Sequence, residues 1–140
     1  MNQQSVSKKF VFNDKIDNEF IFNLYENDYT YITEVFTTSL ETFDEDLDKV
    51  EESYKAGDLQ SLSKAIHKMK PVFGFTGLLE HQAKIGEFEK VCHRATNATY
   101  IAAEFKGFIA LLNDGKSIME QELHRLTVFT AWYELCYNWR

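Results

Sequence analysis

Proline is nearly absent from this chain: Pro71 stands alone, with six glycines among 140 residues. An all-β protein needs turn residues far more often, so the shortage points to helices with few, short connections. Cysteine is scarce too. Cys92 and Cys136 form neither a CxxC pair nor a framework of bridges, and they read as the reduced thiols expected of a cytoplasmic protein. No apolar run approaches a membrane span, and the opening MNQQSVSKKFVF lacks the apolar stretch of a signal peptide. Asn97-Ala98-Thr99 spells a glycosylation sequon, but without a secretory signal it reads as chance. Basic residues are outnumbered, 15 Lys and Arg against 22 Asp and Glu, for a net charge of −7. That deficit disfavours nucleic acid and anionic membranes as partners, since both need a basic face.

What remains is ordinary for a globular protein: 44% hydrophobic and 26% charged residues. A chain of this size is expected to form one domain, 1–140, burying roughly 68% of its unfolded surface. The apolar spacing is helical. From Asp28 to Ala56, the residues Ile32, Val35, Phe36, Leu40, Phe43, Leu47, Val50 and Tyr54 recur in steps of three and four, which predicts one long helix. Gly57 suits the left-handed position that ends it, and Asp58 suits the cap of the next. That next helix spans Leu59 to about Leu78, with Leu62, Ile66, Met69, Phe73 and Thr76 on its core face. Another, about 79–95, presents Ile85, Phe88, Cys92 and Ala95. The last begins near Thr99 and continues through the turn signal Asn113-Asp114-Gly115, because its stripe of Ile101, Phe105, Phe108, Leu112, Met119, Leu123 and Leu126 keeps phase across it. A short helix near 17–25, capped by Asp17, precedes them. The expected fold is an all-α, antiparallel up-and-down four-helix bundle with a short additional N-terminal helix and a long C-terminal one. The acidic residues Glu41, Asp44, Glu45, Asp48, Glu51 and Glu52 read as a solvated face.

One segment asks for more than a bundle: Ala65-Ile66-His67-Lys68-Met69-Lys70-Pro71-Val72-Phe73-Gly74-Phe75-Thr76-Gly77-Leu78. On a helical wheel with His67 at the origin, the core residues Leu62, Ile66, Met69 and Phe73 fall between about 200° and 260°. His67 therefore points away from the core. Its own side carries Gln60, Lys64, Lys70, Pro71 and Gly74. An exposed imidazole is largely neutral and nucleophilic near neutral pH. Lys70, three residues on, is placed to hold a phosphoryl group by charge-assisted hydrogen bonding. Lys64 and Lys68 add positive charge, and Gly74 leaves room for a partner. Pro71 and Gly74 cost a helix interior roughly 3 and 1 kcal/mol, a cost that calls for a reason of shape. There is no glycine-rich phosphate loop, so the phosphoryl group must come from another protein.

These residues resemble the histidine-containing phosphotransfer (HPt) domain of bacterial phosphorelays. The family pattern is a histidine, lysine at plus three, usually glycine at plus four, often a small residue at plus seven, and glycine at plus ten. His67, Lys70, Gly74 and Gly77 match it, and the preceding Gly57-Asp58 and Leu62 match the family's approach to the histidine. The resemblance covers about residues 28–95. It implies that His67 accepts a phosphoryl group, at Nε2, from a receiver-domain aspartate and passes it to another. Lys70 then stabilises the phosphate, while Lys64, Lys68, Pro71, Gly74 and Gly77 belong to the docking surface, with Phe75 at its edge; Gly77 is also expected to ease packing or the end of the helix. The implied partners are response-regulator receiver domains and a hybrid sensor histidine kinase. The protein needs no cofactor of its own, since the receiver carries the Mg²⁺, and a monomer is expected. Pro71 departs from the family's glycine. Without an amide to bond the His67 carbonyl, a kink or a restart of the helix is expected there. Glu89 and His93 are candidates for the polar residues that orient the histidine from the next helix.

Other readings carry less. The four histidines lack both Glu-x-x-His and His-x-x-x-Glu spacing, so a metal site in the bundle is disfavoured. His81 falls in phase with Ile85 and Phe88 and reads as a partly buried structural residue, while His93 and His124 read as surface or boundary positions. No nucleophile-elbow motif appears. The alternative function is a helical interaction module without phosphate chemistry. Its support is the aromatic-rich stretch from Val128 to Arg140, which is expected instead to pack on the bundle and lengthen its core.

Overall fold

Three aspartates start helices by the same local bond. Asp17, Asp28 and Asp58 each accept a hydrogen bond from the backbone N–H three residues on, at Phe20, Tyr31 and Ser61, which satisfies an amide that the first turn leaves free. In the computed structural model, which describes residues 9–137, the helices are α1 (Asn18–Tyr25), α2 (Tyr29–Glu41), α3 (Phe43–Lys55), α4 (Leu59–Phe75), α5 (Leu79–Arg94) and α6 (Ala102–Tyr137), with a 3₁₀ turn at Ala98–Ile101 before α6. Among the described residues there is no strand. The α2–α3 pair, α4, α5 and α6 form the four-helix bundle, α1 is the short added helix, and α6 is the long C-terminal one. No helix of the described residues is long and apolar enough to cross a membrane.

Two glycines end helices by a shared device. Gly57 and Gly77 have φ of 70° and 75°. Around each, the next N–H reaches back to the carbonyl five residues earlier, Asp58 to Ser53 at 3.1 Å and Leu78 to Phe73 at 2.8 Å, while the glycine's own N–H bonds Tyr54 or Gly74. This is the Schellman closure, which needs a residue at ease in the left-handed region.

The core follows the predicted stripes. Ile32, Phe36, Phe43, Val50, Leu62, Ile66, Met69, Phe73, Ile85, Phe88, Cys92, Ile101, Phe108, Leu112, Met119 and Leu126 are all buried. The single helix expected from Asp28 to Ala56 is corrected: it is interrupted at Thr42, where α2 stops and α3 starts. The apolar period runs through the interruption, so periodicity alone hides it. Thr33, Thr37 and Ser39 each return a hydrogen bond to the carbonyl four residues back, at 2.7–2.8 Å, a pattern that bends helices.

α6 spans 36 residues, about 54 Å at 1.5 Å per residue. As the phase of the stripe predicts, the helix continues through Asn113-Asp114-Gly115. Gly115 is there for packing: a Cβ on it would lie 2.3 Å from the Phe73 ring of α4. Asn97 caps the 3₁₀ turn through the N–H of Thr99, so the sequon-like triplet serves as a helix start. Toward its C-terminus α6 packs less than expected. Phe129 meets Phe10 and Tyr29 edge-on and packs against the core, but Val128, Trp132 and Leu135 are exposed. Residues 138–140 of the aromatic stretch lie outside the described residues.

Candidate functional site

His67 sits in the middle of α4 with its side chain 71% exposed, as the wheel requires. Ile66 and Met69, on either side in sequence, are fully buried and fix the rotation of the helix. Across from it α5 presents Glu89, brought there by burial of its neighbours Phe88 and Cys92. Glu89 Oε2 lies 3.0 Å from His67 Nδ1, and Glu89 Oε1 accepts from Lys70 Nζ at 2.9 Å. One carboxylate thus joins the two residues singled out on α4, and Glu89 is one of the two α5 positions named as candidates. The other, His93, is exposed and has no hydrogen bond to His67 among the described residues.

The electrostatics of Glu89 favour one tautomer of His67. Burial opposes ionisation of Glu89, but hydrogen bonds from Lys70 and His67, with their charges, outweigh it and hold the carboxyl below the usual carboxylate range. An ionised carboxylate only accepts. Nδ1 must therefore carry the proton, and the neutral ring has its lone pair at Nε2. Among the described residues nothing hydrogen-bonds Nε2. A ring held by one nitrogen and open at the other is an oriented nucleophile.

Other predicted positions fall into place differently. Lys64 is exposed on the His67 side. Lys68 instead reaches Asp46 of α3, with Nζ 3.2 Å from Oδ1. Because Asp46 is buried, Lys68 braces α4 against α3. Phe75 is 52% exposed, and its carbonyl accepts from Tyr25 OH at 2.9 Å. Of its two expected roles Gly77 takes packing and the helix end: it is buried, and a Cβ on it would lie 2.7–2.9 Å from Ile21 and Ile16. Its carbonyl accepts the Asp17 N–H at 2.9 Å. It closes the helix against α1 and offers no docking surface. The space beside Gly74 is likewise occupied from within the chain, by Gln82 of α5; a Cβ there would sit 2.6 Å from Gln82 Nε2.

Pro71 neither stops nor restarts α4, which runs unbroken from Leu59 to Phe75. The missing amide costs one hydrogen bond, while Ile66, Met69 and Phe73 are buried on both sides of it. The carbonyl that finds a polar side chain is that of Lys70, which accepts from Gln82 Nε2 at 3.2 Å. Sequence reasoning missed Gln82. It also missed Gly86, whose absent side chain leaves the Lys70 stem lying about 4 Å from where a Cβ would be. A glycine inside α5, one turn before Glu89, was the available signal.

The second histidine to find a carboxylate is His81, more buried than expected at 6% exposure. Its Nε2 lies 2.8 Å from Asp114 Oδ2, its ring stacks on Phe73, and its Nδ1 is buried without a partner. Cys92, below Glu89, is buried, and burial, aided by the Glu89 charge, pushes its thiol up to about 11, so it stays protonated at neutral pH.

The same architecture occurs in a solved structure. The HPt domain of a hybrid sensor histidine kinase from Shewanella matches with a TM-score of 0.67 and 17% sequence identity, over 79% of this chain and 95% of that one. The sequence matches no protein-family model and no curated protein. The chain has the fold of an HPt domain.

Proposed function

We propose that this protein is a histidine phosphotransfer protein, and that the whole chain works as one such domain in the cytoplasm. The observation that carries the reading is the paired state of His67: Nδ1–H bound to ionised Glu89, with the ring largely open to solvent. In the proposed step the Nε2 lone pair attacks the phosphorus of an aspartyl phosphate on a receiver domain. The N–P bond forms, the P–O bond to the aspartate breaks, and the aspartate leaves as a carboxylate. The ring becomes positive as it bonds phosphorus, and Glu89 at Nδ1–H balances that charge. Lys70, which shares Glu89 with the ring, turns to the arriving phosphoryl oxygens. Transfer to a second receiver runs the same step in reverse, with the receiver supplying its Mg²⁺.

Lys64, Pro71 and Phe75 form the docking surface in this reading, and a hybrid sensor kinase stands upstream. The net charge of −7 fits a receiver domain better than nucleic acid. The test is exposure to a phosphorylated receiver, followed by acid and alkali treatment of the product. The reading expects an acid-labile, alkali-stable phosphoprotein in wild type and none in H67Q. Receiver binding without phosphate uptake would instead favour a helical interaction module.

A further inference from the structure

Pro71 removes the amide that would bond the His67 carbonyl. The turn of α4 carrying Lys70 is therefore tied to the turn carrying His67 by one hydrogen bond fewer than a regular helix provides. Gln82 supplies a tie from outside. Its Nε2 donates to the Lys70 carbonyl at 3.2 Å, crossing from α5, the helix that also supplies Glu89. The crossing depends on Gly74. With any side chain there, a Cβ would stand 2.6 Å from Gln82 Nε2 and 3.3 Å from its Cδ, and the amide would have to withdraw. Lys70 is thus held to α5 at two points, its backbone by Gln82 and its ammonium by Glu89 at 2.9 Å. Through Glu89 the second of these reaches His67 Nδ1.

We propose that Gln82 is a positioning residue for the His67–Lys70–Glu89 group: its amide, admitted by Gly74, holds the Pro71-weakened turn of α4 in register with α5. Its consequence for phosphate rests on the function proposed above; its geometric part does not. A neutral hydrogen bond of this kind is worth about a two- to tenfold effect in an equilibrium or rate.

The test uses the full chain and three variants. Q82M keeps the length and bulk of the side chain and loses the donor. G74A, with a better helix former, displaces the amide without touching it. The third is the double variant. The first readout needs no phosphate: the ¹⁵N resonances of the His67 ring and the carbonyl resonance of Lys70. Both single variants are expected to shift these together, and the double variant no further than either, because both remove one bond. The second readout is the lifetime of phosphohistidine formed with phosphoramidate, a small donor that needs no docking, expected to change about two- to tenfold in Q82M. Unmoved His67 resonances in Q82M, additive shifts in the double variant, or an unchanged lifetime would each overturn the proposal. A wild-type protein taking no phosphoryl group from phosphoramidate or a phosphorylated receiver would overturn the phosphotransfer reading instead, with the ring resonances still deciding the role of Gln82.

Discussion

Two histidines in this bundle are bonded to carboxylates, and the pairs are built in opposite senses. At His67 the ring is 71% exposed and its partner Glu89 only 13%. At His81 the ring is 8% exposed and its partner Asp114 is 51% exposed. The first arrangement sinks the anchor and leaves the ring to solvent, with one nitrogen oriented and the other open. The second buries the ring against Phe73 and leaves its second nitrogen without a partner in the core. In the proposed function, burial of the acid prepares the exposed ring for an incoming group; burial of the imidazole makes His81 a packing element. On that reading the same pair of residue types serves reactivity or stability according to which member loses its water.

Substitution at the two rings is the sharpest way to break this comparison. H67Q is expected to abolish phosphate acceptance while changing stability by no more than about 0.5 kcal/mol, since the ring is not part of the core. H81A is expected to do the reverse. Emptying a buried ring site should cost about 2–4 kcal/mol in denaturant unfolding, with phosphate acceptance retained under conditions where the protein stays folded. Loss of acceptance in a folded H81A protein would mean that the two pairs are not separable.

K70A comes next. It removes one charge-assisted bond to a phosphoryl oxygen, about 1.5–3 kcal/mol. Single-turnover transfer should slow, or the phosphohistidine lifetime shorten, by roughly ten- to a hundredfold without being abolished. An unchanged rate and lifetime would remove Lys70 from the site.

The smallest effects concern the partner acids. E89Q should destabilise at pH 7 more than D114N, because Glu89 is the more buried carboxylate and holds two partners. The sign with pH follows from its lowered pKa. The stability that the Glu89 bridge contributes is fully present above its unfolded value near 4.5 and is lost as pH falls through the lower folded value. The stability gap between wild type and E89Q should therefore shrink between pH 7 and pH 3. A gap that widens on acidification would contradict the assigned ionisation.

Much of this was legible in the chain because it depends on local rules. Spacing places Ile66 and Met69 inward and hence His67 outward, and Asp17, Asp58, Gly57 and Gly77 announce helix ends by their own chemistry. What stayed hidden depends on how helices lie against one another. The reason for a glycine at 115 appears only when Phe73 is seen against it, and Gly74 looks like open surface until Gln82 fills it. Gln82 and Glu89 meet α4 by the register of α5, which one-dimensional spacing does not set. The break at Thr42 was hidden for another reason: the apolar period continues through it.

The most direct measurement is the position of the phosphoryl group itself. Protein with ¹⁵N-labelled histidine, treated with a phosphorylated receiver, should show nitrogen–phosphorus coupling at Nε2 of His67 and at no other ring nitrogen, with Nδ1 still bearing its proton toward Glu89. Coupling at Nδ1, coupling at another histidine, or a protein that docks the receiver and stays unphosphorylated would contradict the account.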